Sequence, residues 1–208
     1  MSPDGFESYF HQRASRFAAF YKSEPVSRML GRGALFDRLR FAVETAELLP
    51  ARTVLDVGCG SGPLFVPLAS RGIHVTGIDP AEAMVALATE QAALYPGLVD
   101  VAQRGWEELT EEGAYDLAVA LGVFDYVDRP VELLRCMGTA APHVVGSFPS
   151  HGVRTSLRKW RYGRHGVAVR GYSVGDFGRM AAEAGLTVVE KLALGRAGYA
   201  VHFGPGAG

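Results

Sequence analysis

"VLDVGCGSGP", Val54 to Pro63, sets Gly58, Gly60 and Gly62 directly behind an apolar run. A buried strand that runs into such a loop and then opens a helix makes either a tight turn or a cradle for a ligand. Glycine permits positive φ and lets a ligand approach the backbone. The start of a helix adds N–H groups that no carbonyl within the helix can satisfy. Pro63 suits a first helical turn, where its missing N–H costs nothing.

Outward from this loop the chain alternates between short apolar runs and helical patterns. Strands are predicted at Thr53 to Val57, Ile73 to Ile78, Leu98 to Ala102, Leu117 to Leu121 and Val144 to Phe148. Helices are predicted at Pro63 to Ser70, Ala81 to Tyr95 and Val131 to Ala140. Upstream, Phe6 to Tyr21 and Leu35 to Leu49 have apolar residues at helical spacing, separated by a segment with the breakers Pro25, Gly31 and Gly33. Downstream, a helix is predicted from an N-cap at Ser173, with Asp176 three residues on, to a stop before Gly185. "LTVVEKLAL" and "AGYAVHFG" then read as a hairpin. The fold class expected is α/β: a Rossmann-like doubly wound sheet of about seven strands, mostly parallel, ending in an antiparallel hairpin.

Composition bounds the function. The chain has 208 residues, enough for one domain with its own core. A net charge of −1 argues against a chain built mainly to hold nucleic acid. Cys59 and Cys136 are too few for a disulfide framework, and no Cys/His spacing suggests a metal site. No apolar stretch is long enough to span a bilayer, and "MSPDGFESYF" lacks the pattern of a signal peptide, so a cytoplasmic location is expected.

The residues around the loop discriminate between ligands. A dinucleotide fingerprint needs G-x-G-x-x-G, but the third position is Pro63 here; the G-K-[ST] of a phosphate loop is absent. Asp56 would repel a pyrophosphate and tolerates a cationic ligand better. Asp79 ends the next strand, where a carboxylate can accept both hydroxyls of a ribose. Two acids and a glycine loop suit a nucleoside that carries a positive charge and an amino acid.

"VLDVGCGSGP", "VTGIDPAEAMV" and "YDLAVALGVFDYVDRP" together resemble the class I S-adenosylmethionine-dependent methyltransferases, over roughly Thr53 to Ala140. The resemblance implies that Asp56, Gly58 and Gly60, with Cys59 and Gly62, surround the methionine part of the cofactor. It implies that Asp79 holds the ribose and that Pro80 and Ala81 to Met84 flank the adenine. The family has an Asp after the third strand for the adenine amino group; Gly105 stands there, leaving Trp106 or Glu107 as a substitute or as packing and surface residues. Leu121 and Tyr21 complete the expected cofactor contacts.

At the end of the fourth strand many relatives have a His where Asp125 stands, and the resemblance puts Asp125 and Tyr126 beside the transferable methyl. Asp125 as a cap of the following turn or helix, and Tyr126 as packing, are the alternatives. In "ESYFHQRASRFAAFY", Tyr9 and His11 are candidate acceptor contacts on a helix that closes over the site, or else core residues. The run Arg154 to Arg170 carries six basic residues and no acid. Arg154 and Arg158 are candidates for an anionic group on the acceptor. A solvated basic helix face, a membrane surface or RNA are the competing readings.

The expected organisation is a helical lid at 1–50, a cofactor-binding core at 51–148, a basic substrate cap at 149–172, a helix and hairpin at 173–203, and a tail at 204–208. The expected activity is methyl transfer from S-adenosyl-L-methionine to an O, N or C atom of a small molecule, with no nucleic-acid partner. The alternatives are an RNA or protein methyltransferase, or a cofactor-binding protein without turnover.

Overall fold

A computed structural model describes residue 24 and residues 33–152 and 169–206. The elements in order are α1 (Gly33–Leu48), β1 (Thr53–Val57), α2 (Phe65–Ala69), β2 (His74–Asp79), α3 (Glu82–Ala92), β3 (Val99–Gln103), a short 3-10 turn (Trp106–Glu108), β4 (Leu117–Ala120), α4 (Pro130–Ala140), β5 (His143–Pro149), α5 (Val174–Ala184), β6 (Leu186–Ala193), a second 3-10 turn (Gly195–Ala197) and β7 (Gly198–Pro205). The helix expected at Phe6 to Tyr21 lies outside the described residues, as do Tyr9, His11, Tyr21, Arg154 and Arg158.

All seven strands join one sheet in the order β3-β2-β1-β4-β5-β7-β6. Strands β1 to β5 pair in parallel, while β7 pairs antiparallel with both β5 and β6. The parallel strands read as unbroken apolar runs because both faces are covered. Leu55, Val57, Val144 and Phe148 face a core shared with α4 and α5, through Leu133, Leu134, Met137 and Phe177. Val54, Val75, Val119 and Val145 face the opposite core, with Phe41, Ala42 and Ala46 of α1 and Leu68 of α2. Each large apolar side chain so buried contributes about 1.5–3 kcal/mol.

The boundaries differ from expectation where turn chemistry intervenes. Helix α3 stops at Ala92 rather than Tyr95, because Pro96 disfavours helical geometry in the residue before it. The chain there closes in single turns, with the Tyr95 amide on the Ala92 carbonyl. Helix α2 begins at Phe65, after a turn in which the Phe65 amide donates to Gly62, so Pro63 precedes the helix rather than opening it. Strand β4 stops one residue before Leu121. Strand β7 extends through Gly204 and Pro205, two residues assigned to the tail from sequence, because β6 pairs with them. Helix α5 matches expectation: Asp176 accepts the Ser173 amide and hydroxyl, and Gly185 ends the helix at φ +77°. No helix among the described residues is long and apolar enough to cross a membrane.

Between β1 and β4 the connections leave in opposite directions, β1 towards β2 and β4 towards β5. The crevice at the carboxyl ends of these strands is where an open α/β sheet accepts a ligand.

Candidate functional site

The glycine loop leaves β1 at this crevice and is tied to β2 by its backbone. The Cys59 amide donates to the Ile78 carbonyl at 3.0 Å. The Gly60 amide donates to Asp79 Oδ2 at 3.0 Å, while Asp79 Oδ1 accepts the Ala81 amide at 2.9 Å. Asp79 therefore staples the loop to the start of α3.

The three glycines face different surroundings. A Cβ on Gly58 would strike Val123 in the loop after β4, and one on Gly62 would meet the Phe65 ring at 2.5 Å. At Gly60, where φ is +56°, a Cβ would meet nothing within 4 Å. Gly58 and Gly62 are thus held small by the protein itself, whereas nothing among the described residues crowds Gly60. The Cys59 side chain points the other way, into the core beneath β2, where burial and the Asp56 and Asp79 carboxylates push its thiol pKa up.

Asp56 is only 2% exposed. Burial first, and the Asp79 carboxylate second, raise its pKa to about 7, against the opposing pull of Arg38. No hydrogen bond to its carboxylate is made among the described residues. A buried acid without donors is costly, and a bound cation would relieve that cost.

The glycine-loop and strand-end motifs do not single out Arg38. It reaches from α1 across the crevice, donates to Ser147 Oγ on β5 at 3.4 Å, and lies over Gly122, where a Cβ would come within 3.0 Å of Nη1. Ser147 Oγ also accepts the Gly122 amide at 2.8 Å. The signal was present. Arg38 stands three, four and seven residues before the buried Phe41, Ala42 and Thr45, so it lies on the apolar stripe of the helix.

On the far side of Asp79, Met84 and Ala81 form a small buried cluster, and the Pro80 carbonyl accepts from Gln103 Nε2 at 3.3 Å. The Gly105 amide donates to Glu108 Oε1 at 2.9 Å and so caps the 3-10 turn. Trp106 packs against the core shared with α4, and the Arg129 guanidinium lies 5.2 Å from its ring centroid. Glu107 also pairs with Arg129, at 3.7 Å. Packing and surface contacts thus engage both residues considered as substitutes for the adenine-binding acid. Leu121 packs against the opposite core just past β4.

The loop after β4 is anchored by Phe124, which is fully buried with its ring centroid 4.3 Å from that of Phe148. Asp125 and Tyr126 follow, both 7% exposed, in a turn closed by the Tyr126 amide on the Val123 carbonyl. Helix α4 starts at Pro130 with no side-chain cap, which removes the helix-cap alternative for Asp125.

A family model described as a methyltransferase domain matches residues 24–191. The ubiquinone biosynthesis O-methyltransferase of Pseudomonas paraeruginosa is 39% identical over 89 residues, 42% of this chain and 38% of that protein. Its namesake from Hahella chejuensis is 37% identical over 108 residues, 50% of this chain and 45% of that protein. The matched region thus spans less than half the length of these curated relatives. Among solved structures, the magnesium protoporphyrin IX methyltransferase of Synechocystis PCC 6803 with bound S-adenosylhomocysteine has a TM-score of 0.76 at 21% identity, covering 95% of this chain and 96% of that one. The 1,6-didemethyltoxoflavin-N1-methyltransferase of Burkholderia thailandensis has a TM-score of 0.71 at 17% identity, covering 96% and 90%. The matched span takes in the glycine loop, both acidic strand ends and the whole parallel part of the sheet: the chain belongs to the methyltransferase domain family.

Proposed function

We propose that this chain binds S-adenosylmethionine at the carboxyl ends of β1 and β2 and directs methyl transfer to a small-molecule acceptor. The observation that carries the reading is Asp56: a buried carboxylate with no donor among the described residues, set between the Asp79 carboxylate and the Arg38 guanidinium. Such a site fits an amino acid whose ammonium meets Asp56 and whose carboxylate meets the Arg38 guanidinium. Asp79 suits the ribose hydroxyls, and Met84 with Ala81 suits the apolar face of adenine. When bound, the donor supplies an activated methyl on a sulfonium.

The protein's own contribution is mainly positioning. The glycine loop and Asp79 hold one reactant, and the loop after β4 presents Asp125 and Tyr126 to the other. If the acceptor is a hydroxyl or an ammonium, Asp125 is suited to orient it or take its proton. The names of the curated relatives support an oxygen acceptor. The basic run from Arg154 to Arg170 supports an anionic group on it.

The test is calorimetry with S-adenosylhomocysteine, followed by methyl-labelled S-adenosylmethionine offered with a panel of phenols, carboxylic acids and amines. Micromolar binding and label transfer to a panel member are expected. Binding with no S-adenosylhomocysteine released would identify a non-catalytic binder, and no binding would end the reading.

A further inference from the structure

Arg170, the end of the basic run, and Tyr172 just beyond it are stitched to the loop that carries Asp125. The Tyr172 hydroxyl donates to the Phe124 carbonyl at 2.9 Å in a buried setting. The Arg170 amide donates to the Asp125 carbonyl at 2.8 Å, and Arg170 Nη2 donates to the Asp128 carbonyl at 2.7 Å. Tyr172 is in turn fixed to the end of β5: its amide donates to the Pro149 carbonyl at 2.8 Å, and its ring packs edge-on against Phe148 at 5.2 Å. Three carbonyls of one short loop thus take their donors from residues 170 and 172. A helix holds its own carbonyls; a loop between β4 and α4 has no such ladder and depends on partners from elsewhere.

We infer that Tyr172 is a positioning residue for methyl transfer: its hydroxyl, with the Arg170 amide, holds the backbone of Phe124 and Asp125 so that the Asp125 side chain stays at the mouth of the site. The inference rests on the proposed reading of Asp125 as an acceptor contact. Tyr172 acts through the loop backbone and need not touch a reactant. Burial, together with the nearby Asp125 and Asp176, raises its pKa, so the hydroxyl keeps its proton and remains a donor throughout the working range.

Tyr172→Phe removes the hydroxyl and keeps the ring against Phe148. Amide exchange at 122–128 should accelerate about tenfold, as for the loss of one hydrogen bond, while exchange in β1 and β2 stays unchanged. S-adenosylhomocysteine affinity should stay at the wild-type value. With an acceptor from the panel, kcat should fall by about the same factor. Exchange that rises equally across the sheet, or does not rise at all, overturns the inference without need of an acceptor. Cofactor affinity lost in step with turnover also overturns it, since that marks a general structural role. Asp125→Asn in the same assay separates the two readings. If it leaves transfer at the wild-type rate, the reading of Asp125 fails and this inference with it. If it slows transfer and Tyr172→Phe does not, only the positioning role is wrong.

Discussion

Asp79 grips the Gly60 amide at 3.0 Å and, with its other oxygen, the Ala81 amide at 2.9 Å, so one carboxylate sets the spacing between the glycine loop and α3. An asparagine at this position has only one acceptor oxygen and would turn its NH₂ towards a backbone donor. Asp79→Asn is therefore expected to destabilise the fold by about 1–3 kcal/mol, from one orphaned amide. It should also weaken S-adenosylhomocysteine binding at least about tenfold. Denaturant melts and calorimetry on the same preparation check both, and unchanged affinity in a folded variant removes Asp79 from the site.

Asp56 should trade stability for binding. Its carboxyl titrates near 7 in the fold, against about 3.8 when unfolded, so folding takes up a proton between these values. The unliganded protein thus loses stability as pH rises from about 4 to 7, and the loss is complete above that. Asp56→Asn cannot titrate. It should melt higher than wild type at pH 8 by up to about 4 kcal/mol of stability, with the gap closing towards pH 4. The same variant should lose S-adenosylhomocysteine binding. Paired thermal melts at the two pH values check this; a variant that melts lower at pH 8 refutes the assignment.

Gly60 and Gly62 should separate. Gly60→Ala puts a methyl into open space at φ +56°, at a cost of about 1–2 kcal/mol for the left-handed backbone. Gly62→Ala pays the same backbone cost and also displaces the buried Phe65 ring. The first variant should fold and bind poorly. The second should show the lower melting temperature.

Arg38→Met removes a charge that pulls the Asp56 pKa down, and keeps much of the stem's bulk. Cofactor affinity should fall about tenfold or more, and its dependence on pH should shift upward. Calorimetry between pH 6 and 9 reads both effects. An unchanged affinity at pH 8 would take Arg38 out of the site.

The far end of the sheet should be sensitive to acid. His143 Nδ1 and His202 Nε2 lie 3.1 Å apart, and burial, with His143 second, lowers the His202 pKa to about 4. A depressed folded value means the unfolded chain binds the proton first. The stability is present above about 6.5 and is lost as pH falls towards 4. His202→Gln, which does not titrate, should lack this loss, so that its melting temperature relative to wild type rises as pH falls from 6.5 to 4. It should leave S-adenosylhomocysteine affinity at pH 8 unchanged.

The glycine loop, the acid two residues before it and the acid at the end of β2 were legible because each belongs to one strand and the turn that follows it. The apolar run, the glycines and the strand-end carboxylate are local features, and a parallel strand buried on both faces has little choice of pattern. The same holds for α5, whose start is written in the Ser173 and Asp176 side chains that bond there, and whose stop is written in the lack of a side chain at Gly185, which lets the backbone turn left-handed.

What only the tertiary structure decided are the relationships that cross the sheet. Arg38 reaches Ser147 over 109 positions, and Tyr172 reaches Phe124 over 48. Asp56 has its raised pKa because folding removes water from it and brings Asp79 alongside. Gly60 and Gly62 are alike in sequence and both left-handed in the fold; what distinguishes them is the Phe65 ring beside one and empty space beside the other. Sequence pattern specifies the backbone because propensity and turn chemistry act over a few residues. Desolvation and long-range packing depend on which elements come together, and no local pattern carries that.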